Sequence, residues 1–236
     1  MINKKSNTTV RGISILLAFV LIFMTFITAC NSNKTESGIS KSQDVKNDSS
    51  SEESESSYYT SGVFTEESYK SEWLNIQCVF AKNGLKATDP NLMEKYNNAQ
   101  KSSNQGNFSY TEMNAYKNNE NQSPYLQITV KKAYKSLETL SDEFKDEIDS
   151  GLKNAASYPQ SIETQWGTDS SYNLLGEEYF LQECSFKTFN GDELKVKGTY
   201  WFLHRIKDGY FISINCGGKD CSDNLNEILN WFEPLK

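Results

Sequence analysis

The C-terminal third of the chain constrains the fold most, because it consists of long strand-like segments joined by tight turns. "EEYFLQECSFKTF" and "ELKVKGTYWFLHRI" flank Asn190-Gly191, and Lys207-Asp208-Gly209 joins the second segment to "YFISINC". Asn-Gly and Asp-Gly supply the positive φ angles that tight hairpin turns need. Three consecutive antiparallel strands are therefore predicted, and the rest of the chain has to pack on the sheet that they form.

Further strands and helices are predicted upstream of these hairpins. "SEWLNIQCVF" and "YLQITVKK" alternate apolar and polar residues, and "NFSYTEMNAYKNN" is a further strand candidate. Helices are predicted after Asp89, after Ser141 as an N-cap, and from Leu225. The clearest helix, "SDEFKDEIDSGLKNAA", carries an apolar stripe made of Leu140, Phe144, Ile148 and Leu152. The pattern predicts an α+β fold, an antiparallel sheet with flanking helices, in a single globular domain over residues 59–236.

The one long apolar run, Ile13–Ala29, follows a basic leader and ends in small residues. A basic segment, an apolar core and a small-residue end are typical of a secretory signal peptide, here residues 1–29. The run of about 17 residues is also at the lower limit for crossing a bilayer. A retained transmembrane helix is therefore the alternative.

The order Ile27-Thr28-Ala29-Cys30 resembles the bacterial lipobox, in which a branched apolar residue and two small residues precede a cysteine. The resemblance implies transfer of a diacylglyceryl group to the Cys30 thiol and cleavage between Ala29 and Cys30. Two or three acyl chains on one residue give durable anchoring, whereas a single chain binds reversibly. We therefore expect a lipid-anchored protein on the extracytoplasmic face of the cell membrane.

Residues 30–58 comprise the lipidated cysteine and a Ser- and Glu-rich segment with almost no apolar side chains. Such a composition cannot bury enough surface to offset chain entropy, so a disordered tether is predicted. The formal net charge of the chain is −7, and removal of Lys4, Lys5 and Arg11 with the leader makes it −10. A mature chain this acidic lacks the basic surface that binds phosphodiester backbones, so nucleic acid is not an expected partner.

Most of residues 59–236 resembles the PsbP-like domains of bacterial lipoproteins in the order of its segments. The resemblance is carried by "SEWLNIQCVF", by "LQITVKK", by the helix "LSDEFKDEIDSGL", and by "GEEYFLQECSF" and "KGTYWFLHRIKDGYFISINC" before a terminal helix. The chain has Lys82-Asn83-Gly84 where that family usually has a P-x-G-W turn. The resemblance implies an α/β/α sandwich and a non-catalytic interaction module.

Few residues are candidates for chemistry. His204 is the only histidine, and counting back from the Asp208-Gly209 turn places it opposite Ser213, where a packing role is the plain interpretation. Metal, dinucleotide, phosphate-loop and hydrolase motifs are absent from the sequence, so no cofactor, metal site or catalytic residue is predicted.

Four cysteines remain when Cys30 carries the lipid. Cys216 and Cys221 are the candidate disulfide, because Gly217-Gly218 gives their loop the freedom to close, and a second bridge would join Cys78 to Cys184. Buried free thiols are the alternative.

The segment "YPQSIETQWGTDSSYN", residues 158–173, shows no clear periodicity and is rich in aromatic residues. Loops on rigid scaffolds often carry function, so Tyr158, Trp166 and Tyr172 are predicted to form a contact loop. Taken with the lipid on Cys30, this predicts a non-enzymatic binding or assembly module for an envelope protein partner. A small-ligand carrier or sensor is the first alternative, and an enzyme acting on envelope material is the second.

Overall fold

The computed structural model describes residues 59–103, 109–155, 160–221 and 223–235. The predicted signal peptide, the lipobox residues Ile27, Thr28, Ala29 and Cys30, and the predicted tether lie outside these ranges, as does Tyr158. Among the helices in these ranges, none has the length and apolarity needed to cross a membrane.

Two antiparallel sheets form the framework. The main sheet has the spatial order β4 (Leu85–Ala87), β5 (Ser109–Lys117), β6 (Tyr125–Lys132), β11 (Tyr210–Lys219), β10 (Glu193–Lys207), β9 (Glu177–Asn190) and β7 (Gln160–Trp166), and β8 (Ser170–Leu174) pairs with β9 beside β7. The small sheet has the order β1 (Val63–Phe64), β2 (Ser68–Ser71), β3 (Ile76–Val79) and β12 (Glu233–Pro234). Every strand pair in both sheets is antiparallel. The predicted α+β class with an antiparallel sheet is confirmed.

Both predicted hairpins are present. Asn190 pairs with Glu193 across the first turn, where Gly191 has a φ of 60°. Lys207 pairs with Tyr210 across the second turn, where Asp208 and Gly209 have φ angles of 50° and 77°. Asp and Gly tolerate this left-handed region better than other residues, which is why these dipeptides close the turns.

Three α-helices complete the described fold. They are α1 (Pro90–Ser103), α2 (Leu137–Ala155) and α3 (Leu225–Leu229). Asp89 caps α1 by accepting the Asn91 N–H at 2.8 Å. Asn224 and Glu227 form a capping box at α3. The predicted N-cap of α2 is wrong, because that helix begins at Leu137 and the hydroxyl of Ser136 accepts the Thr139 N–H at 3.3 Å.

Each face of the main sheet carries its own core. The predicted apolar stripe of α2 is buried, and Phe144, Ile148 and Leu152 pack on residues of β9 and β10 that include Phe186 and Phe202. The opposite face packs against the small sheet and α3, in a core whose buried side chains include Tyr69, Cys78, Leu203, Ile214 and Trp231. The sheet is thus flanked by a long helix on one face and by a small sheet with a short helix on the other.

A buried carboxylate fixes the first described residues to the main sheet. Glu112 of β5 is 3% exposed and accepts hydrogen bonds from the hydroxyls of Tyr59, at 2.6 Å, and Tyr69. The Gly62 N–H lies 3.4 Å from its second oxygen. Burial raises the pKa of Glu112, and the hydrogen bonds from the two tyrosines act against that rise. We refer to Glu112, Tyr59 and Tyr69 as the carboxylate latch.

Candidate functional site

A groove of about 770 Å³ lies on the main sheet, on the face opposite α2, where β7, the β9–β10 hairpin and the end of β11 meet. Most of the lining residues have polar side chains, and the lining comprises Glu163, Thr164 and Gln165 of β7, Ser185, Phe186 and Lys187 of β9, Lys197, Gly198 and Thr199 of β10, and Asp220 and Cys221 after β11. Concave sites of this volume are of the size that holds small molecules. This groove is the candidate functional site.

The strand register arranges the groove side chains in two rows. Glu163, Lys187 and Lys197 are directly opposite one another on β7, β9 and β10. The second row lies two residues along each strand, and it consists of Gln165, Ser185 and Thr199. Because side chains alternate between faces with a period of two, both rows point to the same face of the sheet. One row carries charge, and the other carries an amide and two hydroxyls.

Neither groove lysine forms an ion pair with the described residues, although Glu163 is directly opposite Lys187 and the Asp220 N–H donates to the Lys197 carbonyl. Both lysines are exposed. Among the described residues, ion pairs are made by Lys82, Lys117, Lys135, Lys195 and Arg205. Neither Lys187 nor Lys197 is among them.

A β-bulge decides which residues face the groove. The register of β9 and β10 shifts between Leu194 and Val196, so Lys187 is opposite Lys197 and not opposite Val196. A one-residue shift moves every following side chain to the other face of a sheet. Without this bulge the two lysines would lie on opposite faces.

Gly198 contributes backbone to the floor of the groove where β10 approaches β11, and on the opposite face of the sheet it lies against the ring of Phe186. A Cβ atom at this position would lie 2.3 Å from the carbonyl oxygen of Gly218 and 2.5 Å from a ring carbon of Phe186. Only glycine fits at that distance, so the residue permits the close approach of strand and ring.

His204 lies in the core under α2, where its surroundings do not suit a catalytic base. It pairs with Ser213, as predicted, and its side chain is fully buried among Phe144, Phe202 and Phe211. Neither ring nitrogen has a hydrogen-bond partner among the described residues. Burial, together with the positive charge of Lys131, lowers the pKa of His204 to about 3. The imidazole is therefore neutral at physiological pH and plays the packing role predicted for it.

The four described cysteines are free thiols. Cys78 and Cys184 belong to the cores on opposite faces of the main sheet, so the predicted bridge between them is wrong. Cys216 and Cys221 both contact the core on the small-sheet side. Their disulfide is not formed in this structure and stays a prediction for the oxidised protein. Burial raises the pKa of Cys78 and Cys184 to about 12 and that of Cys216 still higher.

The predicted contact loop is not a loop, because residues 160–166 and 170–174 form β7 and β8. Trp166 packs in the core under α2, 5.7 Å from the ring of Phe202, and its indole N–H donates to Asp149 at 3.1 Å. Tyr172 packs on the opposite core, and its hydroxyl donates to Asn226 at 2.8 Å. The structure therefore does not bring these two aromatic residues together on one surface.

In residues 59–103, 109–155, 160–221 and 223–235, no group of three or more His, Cys, Asp and Glu side chains is arranged to hold a metal ion.

The groove residues were not among the candidates predicted from the sequence. The Asn190-Gly191 turn is a signal that could have placed Ser185 and Lys187 on β9, but counting from the turn pairs Lys187 with Val196. The bulge has no sequence signature of its own, so the two rows could only be read from the structure.

Comparison with known proteins finds similarity in solved structures but not in sequence. No protein-family profile matches the chain. No curated protein sequence matches it. The solution structure of cyanobacterial PsbP (CyanoP) from Synechocystis sp. PCC 6803 is similar to this chain with a TM-score of 0.40 and 9% sequence identity, covering 76% of this chain and 99% of that one. A PsbP protein is thus a structural neighbour, and membership of the PsbP-like family stays a prediction.

Proposed function

We propose that this protein is a membrane-anchored extracytoplasmic lipoprotein whose folded domain is a non-enzymatic binding or assembly module for an envelope protein partner. The observation that carries the binding role is the open edge of the main sheet. β7 pairs only with β9 among the described strands, so alternate backbone N–H and C=O groups of β7 face away from the sheet. Addition of a strand to such an edge is a common mode of protein recognition.

The proposed anchor rests on the sequence, where Ile27-Thr28-Ala29-Cys30 ends a signal-like segment. A Cys30→Ala variant lacks the thiol that would accept the lipid, so it should leave the membrane fraction or remain unprocessed. Fractionation of cells that express either form measures this. Processed, membrane-bound Cys30→Ala protein would contradict the anchor.

Site-specific photocrosslinking on intact cells tests the partner and its docking edge. A benzoylphenylalanine at Ser161, an exposed residue of β7, should crosslink to one enriched envelope protein. The matched control places the same group at Lys86, an exposed residue of β4 at the other edge of the sheet. Identical products from both positions, or none from Ser161, would contradict docking at β7.

A second candidate function is a small-ligand carrier or sensor, and the groove favours it. The groove is concave, lies beside β7 and is lined by hydrogen-bonding side chains from three adjacent strands. Ligand and partner could then be bound at neighbouring surfaces of one sheet.

A further inference from the structure

The groove presents four hydrogen-bond donors as two cross-strand pairs. Lys187 is opposite Lys197, and Ser185 is opposite Thr199. Directly opposite residues have Cβ atoms about 5 Å apart, and residues two apart along a strand are separated by about 7 Å. The four side chains therefore start from the corners of a rectangle of about 5 by 7 Å, within reach of one small chemical group.

The two lysines are the middle of a row of four charged residues, with Glu163 on the outer side of Lys187 and Asp220 on the outer side of Lys197. The positive charge is therefore concentrated between the two lysines. Like charges directly opposite each other on neighbouring strands are destabilising. In the described part of the chain neither ammonium group has an ion-pair partner. An anion held between the two lysines would offset this repulsion with two attractions.

The donors suit a phosphate group better than a carboxylate. Two ammonium groups and two hydroxyls offer more donors than the two oxygens of a carboxylate can accept, whereas a phosphate ester presents three terminal oxygens. Lysine also binds phosphate well as a point charge. The centre of the groove is thus matched to a phosphate.

The borders of the groove offer acceptors. Glu163 and Gln165 line the β7 side, and Asp220 lies at the opposite end, beyond β11. Carboxylate and amide oxygens accept hydrogen bonds from hydroxyl groups. They would also repel a second anionic group, which limits the ligand to one phosphate surrounded by hydroxyls.

We propose that the groove binds a soluble polyol phosphate, a small molecule with one phosphate ester on a hydroxylated carbon chain. The inference gives the small-ligand function its ligand class and does not depend on a partner at β7. A soluble source fits better than a lipid headgroup, because the mature chain has a net charge of −10 and an anionic bilayer surface would repel it.

Calorimetric titration of the full-length chain in an uncharged, sugar-free detergent tests the site with sn-glycerol 3-phosphate as the probe. We expect saturable binding that weakens at least tenfold in the double variant Lys187→Gln/Lys197→Gln. The matched control is Lys86→Gln/Lys132→Gln, which removes two exposed lysines of the same sheet outside the groove and should change the affinity less than twofold. Equal affinities in the two double variants, or no binding by the unmodified chain, would overturn the proposal.

Related probes test the chemistry. Glycerol should not bind, and inorganic phosphate and glycerate should both bind more weakly than glycerol 3-phosphate. Binding should also weaken below about pH 6, where the phosphate takes up its second proton. Binding to phosphatidylglycerol vesicles without binding of the soluble probe would overturn the soluble source, and equal binding of glycerol and glycerol 3-phosphate would overturn the anion site.

The proposed partner at β7 and the proposed ligand in the groove can be refuted independently of each other. Crosslinking from Ser161 requires β7 and a partner but not the groove lysines, so it should persist in the Lys187→Gln/Lys197→Gln variant. If the unmodified chain shows no calorimetric binding but still crosslinks from Ser161, the ligand proposal is refuted and the partner proposal stands. If the chain binds the probe but does not crosslink from Ser161, the partner proposal is refuted and the ligand proposal stands.

Discussion

Replacing His204 with phenylalanine should make the stability of the domain less sensitive to acid. In the folded chain, burial among aromatic rings and the charge of Lys131 lower the pKa of His204 to about 3. In the unfolded chain the imidazole has its ordinary pKa of about 6.5. Below pH 6.5 the unfolded chain therefore takes up a proton that the folded chain does not.

The two pKa values set the size of the effect. The contribution of His204 to the free energy of unfolding is fully present above pH 6.5 and is lost as the pH falls toward 3. Between pH 7 and pH 5 the loss amounts to about 2 kcal/mol. The phenylalanine variant cannot titrate, so it should not show this loss. Any cost of fitting the larger ring is the same at both pH values and cancels from the comparison.

Urea unfolding followed by tryptophan fluorescence, at pH 7 and pH 5 for both proteins, measures the difference. His204 is the only histidine in the chain, so no other imidazole contributes. Burial raises the pKa values of Glu112 and Glu147, and these groups stabilise the fold as the pH falls, equally in both proteins. If the unmodified chain and His204→Phe lose the same free energy between pH 7 and pH 5, the neutral buried imidazole is refuted.

Three further predictions concern other parts of the fold. Glu112→Ala leaves two tyrosine hydroxyls without their acceptor and should lower the free energy of unfolding by about 3 kcal/mol. Because burial raises the pKa of this carboxyl, its favourable contribution to the free energy of unfolding should shrink as the pH rises from 4.5. A difference between the two proteins that does not change with pH would contradict the raised pKa. Gly198→Ala should lower the free energy of unfolding by about 2 kcal/mol, measured by chemical denaturation, because the new methyl group meets the Gly218 carbonyl. The control Gly191→Ala, at a φ of 60° with open space around it, should lower it by about 1 kcal/mol. A larger loss of stability at Gly191 than at Gly198 would contradict the clash. Of the four described cysteines, a thiol reagent should modify only Cys221 in the folded chain, since the other three are buried; if none of the four reacts and the folded chain is 2 Da lighter than its reduced form, a disulfide between Cys216 and Cys221 is indicated instead.

The sequence predicted those elements whose pattern is local. The hairpin turns are set by Asn-Gly and Asp-Gly, and the α2 stripe is set by four buried apolar residues, so each could be recognised from a few letters. The predicted N-cap of α2, Ser141, lies five residues after the observed one because Ser141 precedes two acidic residues, as N-caps often do. In the structure Ser141 is fully buried inside the helix, and Ser136 caps it.

The candidate site could not be predicted because it depends on features without a local signal. β7 is an edge strand with mostly exposed residues, so its apolar alternation is weak and it resembled a loop. The groove also requires the bulge near Lys195, which aligns the two lysines, and the pairing of β7 with β9, which brings Glu163 and Gln165 beside them. Both properties belong to the assembled sheet and to no single segment.

The carboxylate latch determines how the domain would respond to a mechanical pull. If the chain is anchored through Cys30, any tension enters the fold at Tyr59, ahead of the two-residue strand β1. Tyr59 is held by its bond to Glu112 and by ring contacts with Trp73 and Tyr210. These contacts are made one side chain at a time, so they would give way in sequence while the long ladders of the main sheet stay intact. The first residues of the domain would thus act as a reserve of tether length that is released under load.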